Sequence, residues 1–167
     1  MKKILSLTLA LAMLGTALTG CGSKTAAPET SVEPTQQTAP YQQEQSQTEK
    51  ALALINTFAT GDTDTARSLL SDGYIQHNLA YGTGADAFIG SVEYLASADV
   101  KTTVNNIRAF EDGDKVFLQT IYNFAGACEQ VAFDIFRFDE DGKIAEHWDV
   151  METIADQSTW QNQNGKF

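Results

Sequence analysis

Three side chains able to move protons stand on apolar strand faces in the last third of the chain. Phe133-Asp134-Ile135-Phe136-Arg137-Phe138 alternates in the way a half-buried strand does, which puts Asp134 on the face of Phe136 and Phe138. After a Glu140-Asp141-Gly142 turn, the return run Ile144-Ala145-Glu146-His147-Trp148-Asp149-Val150 places His147 and Asp149 with Ala145 and Met151. A carboxylate or imidazole held among apolar neighbours is costly unless hydrogen-bonded, so such groups mark a site where protons are taken or given. The hairpin is therefore expected to floor a ligand pocket, with His147, Phe136 and Met151 among the residues lining it. His77, in Tyr74-Ile75-Gln76-His77-Asn78, is a second imidazole and a further candidate for the pocket. Tyr122, in Leu118-Gln119-Thr120-Ile121-Tyr122, is a hydrogen-bond donor for the same ligand. Trp148 points to the opposite face, where core or dimer packing is its expected use.

Other chemistries lack their residues. The spacings C-x-x-C, H-E-x-x-H, G-x-x-x-x-G-K-S/T and G-x-S-x-G are absent, and no metal or cofactor is expected. The acidic turns Asp139-Glu140-Asp141 and Glu111-Asp112-Gly113-Asp114 are too short for a calcium loop. The chain has 167 residues and a net charge of −11, which argues against nucleic acid as a partner.

The elements that must position these residues follow from periodicity. Leu52, Ile55, Phe58 and Ala59 recur at helical spacing up to Gly61, and Asp62 or Thr63 caps a second helix carrying Ala66, Leu69 and Leu70. Asp86 is placed to cap a third helix, with Phe88, Ile89, Val92 and Leu95 facing a core. From Val100 the pattern changes to strands at about 101–111, 115–124, 128–139 and 143–154, separated by Asp112-Gly113, Ala125-Gly126 and Asp141-Gly142. Helices followed by an antiparallel meander predict an α+β fold, with a curved sheet wrapped round the helices to leave a cone-shaped cavity.

The N-terminal segment predicts the compartment. Lys2 and Lys3 precede an apolar run, Ile4 to Leu18, too short and interrupted to span a bilayer comfortably but suited to a signal peptide. It closes on Leu18-Thr19-Gly20-Cys21, which resembles the bacterial lipobox. The expectation is a signal peptide over 1–20 and a lipidated Cys21 that anchors the protein to the cell membrane on its extracytoplasmic side. Acyl chains on one cysteine hold a soluble domain without any spanning helix. Residues 21–47 then form a Ser/Thr/Pro/Gln-rich spacer reaching on the order of 25–30 Å, the folded domain occupies 48–156, and 157–167 is a polar tail. Cys128, left without a partner, is expected to be a small buried or half-buried residue.

Taken together, Tyr74-Ile75-Gln76-His77-Asn78, Asp134-Ile135-Phe136-Arg137 and Asp141-Gly142-Lys143-Ile144-Ala145-Glu146-His147-Trp148-Asp149-Val150 resemble the SnoaL-like polyketide cyclases of the nuclear transport factor 2-like superfamily. The resemblance covers roughly residues 48 to 154 and implies that superfamily's cone-shaped roll. It also implies roles. A strand similar to that of Asp134 supplies ketosteroid isomerases with a protonated aspartic acid for an oxyanion hole. Asp149 is similar in place to the acid–base aspartate of the cyclases and of the limonene epoxide hydrolases. His77-Asn78 lies where the isomerases keep a carboxylate base, and Leu54 near where they keep a tyrosine; the missing carboxylate at 78 argues against steroid-type isomerisation. Relatives often dimerise through the sheet, so a homodimer is a possible assembly. Two functions are compatible with this pattern. One is a membrane-tethered module that binds a small, largely apolar molecule, which the tether and the departures favour. The alternative is a cofactor-independent acid–base enzyme acting on a small carbonyl compound, with Asp149 as general base, His77 or His147 to orient or shuttle, and Asp134 to stabilise a developing oxyanion.

Overall fold

The structure is a computed structural model, described for residues 44–167. The expected signal peptide, Cys21 and nearly all of the spacer lie outside the described residues.

Three helices lead into the sheet. Helix α1 (Gln47–Thr60) starts at a reciprocal cap: the Glu49 N–H donates to Ser46 Oγ at 3.1 Å, and the Ser46 N–H donates to Glu49 Oε2 at 2.8 Å. It ends at Gly61, whose φ of 75° suits glycine, and whose missing Cβ lets Ala96 approach. Asp62 caps α2 (Thr63–Leu69) by accepting from the Thr65 N–H. Strand β1 (Leu70–Gln76) follows directly, and then α3 (Ala85–Ala96). Gly84 rather than Asp86 stands at the start of α3; Asp86 lies in its first turn and pairs with Arg67 at 3.0 Å.

Four long strands complete the fold: β2 (Thr103–Asp112), β3 (Lys115–Asn123), β4 (Glu129–Phe138) and β5 (Ile144–Thr153). They form the expected antiparallel meander, but the sheet has one more member. Its order is β1-β5-β4-β3-β2, with β1 parallel to β5, so it is mixed. The extra strand holds the Tyr74–Gln76 segment, which sequence pattern marks only as a short extended piece. The register shifts between Asn106 and Arg108 and between Arg137 and Phe138, interrupting the regular ladder there.

The concave face closes on the helices. Leu54 and Ile55 of α1, Val92 of α3, and Val116, Leu118 and Phe136 of the sheet are all buried. Complete burial of a side chain such as Phe136 contributes about 1.5–3 kcal/mol. The outer face differs: Phe117, Phe133 and Val150 are exposed there. Residues 157–167 return to the sheet, since Gln119 Nε2 donates to the Lys166 carbonyl at 2.8 Å and Lys166 Nζ bonds Glu152 at 2.6 Å. Cys128 is exposed, contrary to expectation, because it precedes β4 outside the packed layers.

Candidate functional site

The β4–β5 register sets Asp134 directly opposite Asp149, and Phe136 opposite His147. Like charges facing each other across two strands oppose sheet formation, so this arrangement does not serve the fold. The three polar side chains are nonetheless nearly enclosed, at 4% to 7% exposure. They sit at the base of a cavity of about 480 Å³ between α1, α3 and the sheet, within the range of small-molecule sites. Phe58, Phe88, Tyr94 and Phe124 supply much of its wall, together with Phe136, whose ring stacks on His147 at 4.4 Å.

Hydrogen bonds within the cluster are directional. Tyr122 Oη donates to Asp134 Oδ2 at 3.0 Å, and His147 Nε2 lies 3.2 Å from Asp134 Oδ1. The other ring nitrogen, Nδ1, is 3.0 Å from Gln76 Nε2. Which way the Gln76 amide points is set by the backbone: the Asn78 N–H, which can only donate, bonds Gln76 Oε1 at 3.0 Å. The NH₂ group therefore faces His147, Nδ1 accepts, and the ring proton stands on Nε2 toward Asp134. The same device is repeated one step on. The Ala80 N–H bonds Asn78 Oδ1 at 2.9 Å, turning Asn78 Nδ2 toward Asp149 Oδ1 at 2.6 Å.

Asp149 is left with one oxygen held and one facing the cavity. Its Oδ2 is 4.0 Å from His147 Nε2, too far for a hydrogen bond. Burial pushes the Asp149 carboxyl above the usual carboxylate range; His147 and the Asn78 bond pull it back in part, and the Asp134 charge adds to the rise. A carboxylate biased toward holding a proton is a stronger base than one in water.

Asp134, His147 and Asp149 also offer ligand atoms within 4.8 Å of one another, a two-carboxylate, one-imidazole set a metal can use. The surrounding bonds suit a proton better. A histidine bound to metal through Nε2 donates its Nδ1–H to an acceptor, and here Gln76 presents N–H groups to Nδ1.

The cavity is lined by Asp134, Asp149, His147, Tyr122, Phe136 and Met151. His77 is not brought to it. Its ring lies on the outer face, stacked on Trp148 at 4.4 Å, with Nε2 2.9 Å from Glu146 Oε2. That bond, with a second from Arg137, holds the Glu146 carboxyl below its usual range. The reason is the strand period: in Tyr74-Ile75-Gln76-His77-Asn78 the odd member of the triplet faces outward while Gln76 and Asn78 face in. Gln76 and Tyr74 were the residues missed, and the same alternation was the signal that identifies them. Asp134 departs from the oxyanion-donor role as well, because both of its oxygens already accept. Arg137 pairs with Glu146, not with Asp134, and Leu54 is wholly buried in the core.

Fold and site together define a nuclear transport factor 2-like domain, three helices packed on a curved mixed sheet with polar groups at the base of its cone. The chain belongs to the SnoaL-like domain family, whose sequence profile matches residues 51–147. No curated protein sequence matches it. Solved structures of similar fold include an LEH-like epoxide hydrolase from M. tuberculosis, 18% identical over 62% of this chain and 80% of the other, with a TM-score of 0.54. IdmH from Streptomyces antibioticus, a proposed polyketide cyclase, is 18% identical over 65% of this chain and 93% of its own, with a TM-score of 0.52. An NTF2-like protein of unknown function from Cytophaga hutchinsonii is 16% identical over 66% and 94%, with a TM-score of 0.57.

Proposed function

We propose that the domain is a cofactor-independent acid–base enzyme acting on a small, neutral, largely apolar molecule, with Asp149 as the base. The observation that carries this is the state of Asp149: nearly enclosed, raised in pKa by burial, anchored through one oxygen by Asn78 and open to the cavity through the other. A module that only binds apolar ligands has no need for two facing carboxylates, one held by Asn78 and the other by Tyr122 and His147. Asp134 and His147 are the supporting pair, with Asp134 tying Tyr122 and His147 into one network. A positioned base would serve either activity named for the relatives, polyketide cyclisation or epoxide hydrolysis, by taking a proton from carbon or from water. The cavity lining contains no lysine or arginine, which supports a substrate without acid groups.

The site of action we propose is the extracytoplasmic side of the cell membrane, with lipid on Cys21 as the tether; the Leu18-Thr19-Gly20-Cys21 motif after an apolar run supports it. The test of activity uses the lipid-free protein in deuterium oxide with a panel of small ketones and 1,3-dicarbonyls. Exchange at acidic C–H positions above the buffer rate is expected. Saturable binding without exchange would move the protein to the binding class.

A further inference from the structure

Tyr74 is a buried polar group of the cavity lining that the network described so far does not use. It is 2% exposed, lies on β1 beside the acidic pair, and lines the cavity. Its oxygen is occupied as an acceptor, since Gln76 Nε2 donates to Tyr74 Oη at 3.3 Å. The Gln76 amide is fixed in that sense by the Asn78 N–H, so the bond cannot be reversed. The Tyr74 proton has no acceptor among the described residues. A buried hydroxyl with an unspent proton is uncommon in a folded protein, where such groups almost always find a partner. Tyr122 makes the contrast plain: its hydroxyl is equally buried and is spent on Asp134.

Resting on the reading of Asp149 as the base, we infer that the Tyr74 hydroxyl donates a hydrogen bond to the oxygen of a neutral ketone-type substrate, stabilising the negative charge that forms there. The lining suits such a ligand. It holds two carboxylates and no lysine or arginine, so a carboxylate or phosphate would be repelled, whereas a carbonyl oxygen finds a donor. The Tyr74 phenol is also held in its donating form. Burial, with the charges of Asp149 and Asp134 adding to it, pushes its pKa up, so the proton stays on oxygen at neutral pH. The Gln76 N–H on the same oxygen polarises the O–H bond further.

The step balances without any other reagent. Asp149 Oδ2 takes the proton from the carbon next to the carbonyl, and the C–H electron pair becomes the C=C bond. The carbonyl π pair moves onto oxygen, where the Tyr74 hydroxyl bonds it. Return of a proton, or a deuteron from solvent-exchanged Asp149, to carbon restores the ketone. A donor aimed at the charge that develops, and held there before reaction, acts on the transition state more than on the ground state.

The test uses acetophenones labelled with ¹³C at the carbonyl, bound to wild type, Tyr74→Phe and Asp149→Asn, with two readouts. Infrared difference spectra report the hydrogen bond directly: the bound carbonyl stretch should fall in frequency in wild type and in Asp149→Asn, and return to its apolar-solvent value in Tyr74→Phe. Deuterium exchange reports catalysis and should drop about 10²–10³-fold in Tyr74→Phe, the cost of removing one oxyanion donor. Site-specific 3-fluorotyrosine at position 74 keeps the shape, strengthens the donor and should lower the carbonyl frequency further, which covers the case of a poorly folding Tyr74→Phe. A lowered carbonyl frequency or wild-type exchange persisting in Tyr74→Phe overturns the inference, as does failure of every ketone to bind saturably. Loss of the infrared shift in Tyr74→Phe alongside unchanged exchange in Asp149→Asn retains Tyr74 as the donor and removes Asp149 as the base.

Discussion

Replacing Asp149 with asparagine separates its role as a base from its role in packing. The substitution keeps shape, and its Oδ1 can still accept the Asn78 Nδ2 bond now made at 2.6 Å. What it removes is a buried charge standing opposite Asp134. Because burial raises the folded-state pKa of Asp149, its ionised form costs stability at neutral pH, and that cost is relieved as pH falls through the raised value. Asp149→Asn should therefore be as stable as wild type or more stable at pH 7, with the gain vanishing in acid. Asp149→Ala instead orphans Asn78 Nδ2 and should cost about 1 kcal/mol by comparison. Thermal melts across pH read both. In the exchange assay the asparagine variant has no base, so turnover should fall about 10²–10⁴-fold. Affinity for a neutral ketone, which donates nothing to Asp149, should hardly change. In wild type the rate should rise with pH as Asp149 ionises, through a midpoint above the ordinary carboxylate range. Exchange that survives in Asp149→Asn, or an asparagine variant clearly less stable than wild type at pH 7, would refute the assignment.

Three further outcomes follow from the same geometry. Gln76→Glu places an acceptor against His147 Nδ1 while Asp134 still faces Nε2, so both ring nitrogens should carry a proton; ¹⁵N spectra of the imidazole would register the change, and exchange activity should fall although residue 76 never touches the reacting carbon. His77→Ala should leave exchange within about twofold of wild type, since its ring is outside the cavity. It should, however, weaken stability most above the normal glutamate pKa, because the lowered Glu146 pKa gives stability that is present there and lost as pH falls through the depressed value. Cys21→Ala should release the domain from membranes in fractionation, because a single acylated residue is the expected anchor.

Much of the architecture was legible in the chain itself. Helix ends are local events: the Asp62 cap and a left-handed Gly61 are readable from short range because caps satisfy neighbouring backbone groups. The four long strands and the facing of Asp134, His147 and Asp149 follow from a side-chain period of two, which needs no knowledge of the partner strand. That same period put His77 outward with Ile75, a consequence obscured by the resemblance of His77-Asn78 to a catalytic position. What lay beyond the sequence depends on pairing between distant segments. The parallel β1–β5 register sets Gln76 beside His147, seventy-one residues away, and only that placement determines which ring nitrogen carries the proton. Likewise, Asp134 reads as a proton donor on its own strand and becomes an acceptor once Tyr122 from β3 and His147 from β5 close on it. A side chain's direction is a local property, but the protonation pattern of a buried cluster is set by whichever donors the folded chain brings within 3 Å, and no local pattern encodes those.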